Sequence, residues 1–311
     1  MFPIISANSA AASAGNDEGI FGFGYASGWV KSDITNLVSN AGVIASDVSG
    51  VGTSRAYLAA CEYGEDKGIF GYGSAAGVSA VTNLVSNTGV VSSDQAAVTG
   101  TARWGLAACS YGGDKGIFGY AYSATPPTYG LNMTNLVSNT GVVSSDQAGV
   151  GTGRYTLAAC EYGGDKGIFG FGRPTTAITN LVSNTGVVAS DTAGVGTARK
   201  ELAACCYGED VKDKGMFAFG TLGDVPTHTR VTTTNLVSNT GVVASNGAGA
   251  GTARGGPAAC EYGIDKAIFG FGWVGSMTSI TNLVSNVGVV ASDQAATTGT
   301  ARANPGGCSF N

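Results

Sequence analysis

The sequence predicts an all-β fold, a six-bladed β-propeller of four-stranded antiparallel blades, and three observations lead to it. A unit of about 50 residues recurs six times along the 311-residue chain, a period that marks propellers and related repeat arrays. Within each unit, glycine interrupts the chain every few positions and no apolar pattern keeps a 3.6-residue period for a dozen residues, so the elements read as short strands. Finally, the two ends are complementary. The chain opens without the first strand phrase of the unit and closes with a copy of it, Gly306 to Phe310.

Strand A is LAACEYG, Leu58 to Gly64 in its first full copy, and carries a cysteine six residues after a GTAR-like arginine: Cys61, Cys109, Cys160, Cys205, Cys260 and Cys308 follow Arg55, Arg103, Arg154, Arg199, Arg254 and Arg302. Its small residues suit the crowded centre of a ring. A GEDKG or GGDKG turn leads to strand B, GIFGFG, which starts at Gly19, Gly68, Gly116, Gly167, Gly215 (GMFAFG) and Ala267 (AIFGFG). Ten of the twelve phenylalanines lie in these B strands, which makes them core. Strand C is TNLVSN, from Thr35, Thr82, Thr134, Thr179, Thr234 and Thr281; an NTG turn leads to strand D, GVVAS, and on to the SDxxGVGTAR connection. The units run 56–103, 104–154, 155–199, 200–254 and 255–302. Residues 303–311 join 16–55 as the blade that closes the ring and removes two exposed edges. Residues 1–15 form an N-terminal arm.

Composition excludes several partners. Sixteen Lys and Arg against 21 Asp and Glu leave a net charge of −5, a pI near 4.8 and no cationic surface for nucleic acid. The N-terminus lacks the basic start and apolar run of a signal peptide, and nowhere do 18 apolar residues run together, so no membrane insertion is expected. Seven cysteines, an odd number without an export signal, argue against a disulfide framework.

In an up-and-down blade, the A–B and C–D turns lie on one face and the B–C and D–A connections on the other. The first pair is nearly invariant among copies and the second varies widely. All three tryptophans, Trp29, Trp104 and Trp273, and five tyrosines, Tyr25, Tyr57, Tyr122, Tyr129 and Tyr155, fall in the variable segments. They are therefore expected on one face as ligand-binding residues, since loops on a rigid scaffold carry recognition and such rings anchor sugars or proteins. The alternative is that they cap the blades.

Other candidates read as structural. One Arg per unit implies a repeated job, a bidentate pair with an Asp of the DK turn (Asp66, Asp114, Asp165, Asp213, Asp265) or of the SD turn (Asp47, Asp94, Asp146, Asp191, Asp293), with Asn246 replacing the latter once. Six cysteines at one strand position suggest a thiol ring for a soft metal or, more simply, small buried hydrophobes; Cys206 is expected to be a more exposed thiol outside the repeat. No cofactor is expected. The single histidine, His228, rules out His-rich metal sites, and no nucleophile-elbow phrase accompanies it.

The phrase TGRYTLAACEYGGDKGIFGFG, Thr152 to Gly172, resembles a kelch-type unit: an Arg, a small-residue strand, a tight glycine turn and an aromatic strand ending in glycine. The kelch tryptophan is absent. Galactose oxidases of similar blade design need a copper site with more than one histidine. The longer phrase GIFGFG…TNLVSNTGVVASD…GVGTAR, covering about residues 16–302, is similar to glycine-rich repeat arrays of bacteriophage and environmental virus proteins. That resemblance implies a non-enzymatic, virion-associated structural or host-attachment protein, made in the host cytoplasm. It would bind a host-surface glycan or other virion proteins, with a homo-oligomer as a further expectation. The alternatives are a glycan-processing enzyme using acids with Arg173, Arg230 or His228 on the same face, or an architectural decoration protein.

Overall fold

The computed structural model describes residues 17–95, 100–123, 129–209, 212–223, 228–294 and 299–310; the expected arm, residues 1–15, lies outside them. Strands β1 (Glu18–Ala26) and β2 (Val30–Val38) flank a single 3-10 turn at Ser27–Trp29. There follow β3 (Ala59–Tyr63), β4 (Lys67–Gly71) and β5 (Thr82–Val85), then β6 (Ala107–Tyr111), β7 (Lys115–Tyr122) and β8 (Gly130–Val137). The next set is β9 (Ala158–Tyr162), β10 (Lys166–Gly170) and β11 (Thr179–Val182). After β12 (Ala203–Tyr207) and β13 (Lys214–Ala218), the short ribbon β14 (Thr221–Leu222) and β15 (Thr229–Arg230) precedes β16 (Thr234–Val237). Last come β17 (Ala258–Tyr262), β18 (Lys266–Gly270), β19 (Thr281–Val284) and β20 (Gly306–Phe310).

These strands build six three-stranded antiparallel sheets plus the ribbon. Five sheets use consecutive main strands; the sixth runs β2–β1–β20 and joins the two ends of the chain, with Glu18 opposite Phe310 and Gly22 opposite Gly306. Among the described residues no helix is long and apolar enough to cross a membrane.

Three strands per sheet, rather than the four expected, is a correction with a clear cause. The GVVAS segment returns along strand C only through isolated bridges, such as Val85 with Val91 and Thr82 with Gln95. Between them, the Asn83 amide donates to the Ser92 carbonyl at 3.0 Å and to the Asp94 carboxylate at 3.0 Å. A side chain thus takes the Ser92 carbonyl that a regular ladder would use, and the Leu84 N–H turns to the Ser92 hydroxyl at 2.9 Å instead. The segment remains an irregular outer edge, where Val90, Val142, Val187 and Val242 are each 65% exposed.

The core is divided into six apolar clusters, each shared by two sheets. Its packing explains the glycine content. A Cβ on Gly116 would stand 2.5 Å from the Cys61 sulfur of the preceding sheet, and one on Gly119 would stand 2.6 Å from the Phe169 ring of the following sheet. Side chains there would hold the sheets apart. The same glycine–cysteine contact recurs between Gly68 and Cys308, Gly167 and Cys109, Gly215 and Cys160, and Gly19 and Cys260. Between sheets, β3 packs against β6 and β20, β9 against β6 and β12, and β17 against β12 and β20.

The repeated arginines brace neighbouring units from within. Arg103, fully buried, donates to the Tyr120 carbonyl (3.0 Å), the Thr101 carbonyl (3.1 Å) and the Asn135 side-chain oxygen (2.6 Å), and lies 4.4 Å above the Tyr72 ring. Contact with the SD-turn Asp146 is a single approach of 3.7 Å, so the expected bidentate carboxylate pair is replaced by an amide, carbonyls and an aromatic face. A guanidinium has enough donors for all of them. The DK-turn aspartates instead pair with their neighbouring lysines, as Asp114 with Lys115.

Candidate functional site

The geometry of the variable face begins with the backbone. In every unit one isolated bridge ties the residue after the repeated Arg to the residue following strand B: Tyr25 with Ala303, Ala56 with Ser74, Trp104 with Tyr122, Tyr155 with Arg173, Lys200 with Thr221, and Gly255 with Trp273. Two variable segments are thereby laid side by side. The next residue in each unit, Tyr57, Gly105, Thr156, Glu201, Gly256 or Asn304, has a positive φ between 49° and 70°. This turn presents its amide to the adjacent unit. Gly105 N–H donates to the Tyr57 carbonyl (2.9 Å), Thr156 to Gly105 (2.7 Å), Glu201 to Thr156 (2.9 Å), Gly256 to Glu201 (2.8 Å), Asn304 to Gly256 (2.8 Å) and Tyr57 to Asn304 (3.2 Å). The six bonds form a cycle at the mouth of a cavity of about 110 Å³, lined by the starts of β3, β6, β9, β12, β17 and β20.

Outside that mouth, the structure brings all eight sequence-identified aromatics into one continuous run of ring contacts. Trp273 meets Trp29 at 6.1 Å, Trp29 meets Tyr25 at 5.5 Å, Tyr25 meets Tyr57 at 5.8 Å and Tyr57 meets Trp104 at 5.0 Å. Trp104 stacks on Tyr122 at 4.5 Å, Tyr122 stacks on Tyr129 at 5.8 Å, and Tyr155 packs edge-on against both Trp104 and Tyr122. The rings are not equivalent. Trp29 and Tyr129 are 54% and 52% exposed, whereas the other six are half-buried. Tyr122, held between Trp104 and Tyr129, has both faces covered, so it supports the surface more than it contacts a ligand.

Beside the cavity mouth, a pit of about 200 Å³ is lined by Trp29, Tyr57, Trp273, Glu201, His228 and Asn304, with the Gly255–Gly256 backbone. Thr221 donates to the Glu201 carboxylate at 3.1 Å, the one side chain doing so among the described residues. Burial and the Glu201 charge both push the Tyr57 hydroxyl's pKa up, opposed by a hydrogen bond to Asn304. Arg230 lies 3.8 Å over the Trp273 ring but does not line the pit; Arg173 sits over Tyr155 at 5.8 Å. Sequence reasoning singled out the aromatics and missed Glu201 and Asn304, although both occupy the variable position directly after the repeated-Arg segment.

A second cluster, also missed, lies deeper along the inner strands. The fourth residue of β3, β6, β9, β12, β17 and β20 alternates Glu62, Ser110, Glu161, Cys206, Glu261, Ser309, so three carboxylates converge on a narrow cavity of about 40 Å³ with Lys212 among its walls. Lys212 comes from a turn, Tyr207–Gly215, three residues longer than its counterpart Tyr63–Gly68, and pairs with Glu62 at 3.5 Å. Ser309 Oγ donates to Glu261 at 2.7 Å, as does the Cys206 backbone N–H at 2.8 Å. Burial, then Glu62, pushes Glu161 up to about 8. Burial would lower Lys212, but Glu62 and Glu261 outweigh it and hold it near 12.

Cys206 corrects an expectation. It is buried and its sulfur accepts the Glu161 backbone N–H at 3.1 Å. Five of the six repeated cysteines approach a glycine of the neighbouring sheet, as Cys61 does Gly116, and Cys205 packs in the cluster that holds Ala267. Burial pushes all seven thiols' pKa values up. Among the described residues, no group of three His, Cys, Asp or Glu side chains is arranged to hold a metal ion. Compared with known proteins, the chain matches no family model and no curated protein.

Proposed function

We propose that the six sheets are the blades of a closed six-bladed β-propeller whose variable face binds a glycan without processing it. Ring closure is supported by the inner-strand contacts, which lead from β3 through β6, β9, β12, β17 and β20 back to β3. The cycle of six backbone hydrogen bonds supports it independently. The observation that carries the ligand reading is the contiguity of eight aromatics from segments as far apart as residues 25 and 273, gathered beside a concave mouth. Apolar ring surface with a few convergent polar groups is how small polar ligands are held and oriented. A virion-associated attachment role rests on the repeat's resemblance to phage arrays.

An enzymatic reading draws on Glu201 and His228 in the same pit. Glycosidic hydrolysis generally employs a carboxylate pair, and among the described residues lining the pit Glu201 is the sole carboxylate. The binding reading therefore accounts for more of the site. A glycan array tests it. Wild type binds a defined subset of glycans; Trp29→Ala and Trp273→Ala each weaken that binding about tenfold or more, while Trp29→Ala leaves the melting temperature nearly unchanged because its ring is half exposed. A blank array contradicts the reading and favours an architectural role; turnover of an arrayed glycan favours the enzyme.

A further inference from the structure

The pit beside the central mouth has a charge character that the aromatic arc as a whole does not. Three of its walls are the rings of Trp29, Tyr57 and Trp273, and Glu201 is its one carboxylate among the described residues. Neither Lys nor Arg contributes to its lining among the described residues. Aromatic faces carry negative quadrupole potential, and a desolvated cation gains from several such faces at once. A nearby carboxylate adds a direct Coulomb attraction, strengthened by partial burial. Thr221 donates to the Glu201 carboxylate at 3.1 Å and orients it at the pit wall. Its field reaches across the pit, since it helps raise the Tyr57 pKa. The Trp273 ring already holds one cation, the Arg230 guanidinium at 3.8 Å, outside the pit lining.

We propose that this pit receives an ammonium group, with a quaternary or N-methylated ammonium substituent of the ligand as the best-matched class. An anionic sugar end, carboxylate or phosphate, would meet Glu201 with neither Lys nor Arg in the described lining to offset the repulsion, His228 being the one basic side chain there. A strongly hydrated small cation such as Na⁺ would lose its water shell against apolar rings, whereas a methylated ammonium is weakly hydrated and matches them. The inference rests on the proposed recognition face and assigns its occupant there.

The probe is choline, with 3,3-dimethylbutan-1-ol, its uncharged carbon isostere, as the control, titrated against tryptophan fluorescence. Expected is a saturable change with choline, absent with the isostere, and weakened about tenfold in Glu201→Gln, the scale of one cation–carboxylate or cation–π contribution. Because Gln keeps the shape and the Thr221 contact, folding is checked by an unchanged melting curve; Trp273→Phe, which keeps a ring, is expected to retain weaker choline binding. An equal response to the isostere, a response indifferent to Glu201→Gln, or no response overturns the inference. Repeating the glycan array with excess choline separates this from the broader reading. Glycan binding without any choline response overturns the ammonium pit alone, and a choline response over a blank array overturns the glycan face alone.

Discussion

Arg103 shows what a buried charge requires. Its guanidinium is shut away from water, and its partners are the Asn135 side chain, two carbonyls and the Tyr72 ring, with Asp146 at the edge of reach. Removing the close acceptor leaves a buried donor unsatisfied, so Asn135→Ala is expected to lower the unfolding free energy by about 2–3 kcal/mol. Asp146→Asn should cost less than about 1 kcal/mol, because Asn246 already fills that place in another unit, accepting the Thr197 N–H at 3.0 Å and donating to its hydroxyl at 2.6 Å. Urea denaturation of both variants decides between an amide-centred and a carboxylate-centred brace. The sequence displayed the Arg–Asp recurrence but not this ranking: the Asn in TNLVSN looked like part of a strand motif, and only the fold shows it pointing at the Arg.

At the level of elements, strands A, B and C were legible because each pairs a fixed phrase with fixed spacing. Strand D was not, since its valines alternate plausibly while the Asn of strand C takes a backbone carbonyl that a ladder needs. The alternation of Glu62, Glu161 and Glu261 with Ser110, Cys206 and Ser309 was visible, but its meaning depends on six inner strands meeting, and on the longer Tyr207–Gly215 turn delivering Lys212 to them. That cluster makes a pH prediction. Glu161 is pushed from an ordinary 4.5 up to about 8. Between those values the folded chain retains a proton that the unfolded chain has released, so the group's contribution to stability is intact below pH 4.5 and lost as pH rises toward 8. Urea midpoints should therefore fall from about pH 5 to pH 8 for this group. Glu161→Gln should flatten that fall, and Lys212→Met should steepen it by removing the cation the carboxylates face. A midpoint that Glu161→Gln leaves equally pH-dependent would contradict the assignment.

Over the whole molecule, the aromatic face was legible from variability alone: residues that break a repeat have escaped its packing duties, and the structure sets those eight rings in contact. What sequence could not reveal is which rings remain open. Trp29 keeps an exposed face while Tyr122 is covered by its neighbours, a distinction made by stacking between residues distant in the chain. Such a platform is rigid only if the two chain ends hold together, and the proposed ring makes β20 the strand that does so. Thr300 donates to Asp47 from 253 residues away, and Arg302 reaches Asn36 at 2.6 Å. Hydrogen exchange on the β20 amides tests this most directly. If the ring is closed, residues 306–310 and the Asn304 amide exchange as slowly as their equivalents in β3 and β9, near the global unfolding limit. Fast exchange there, with β3 and β9 still protected, would show a frayed terminus and an open array.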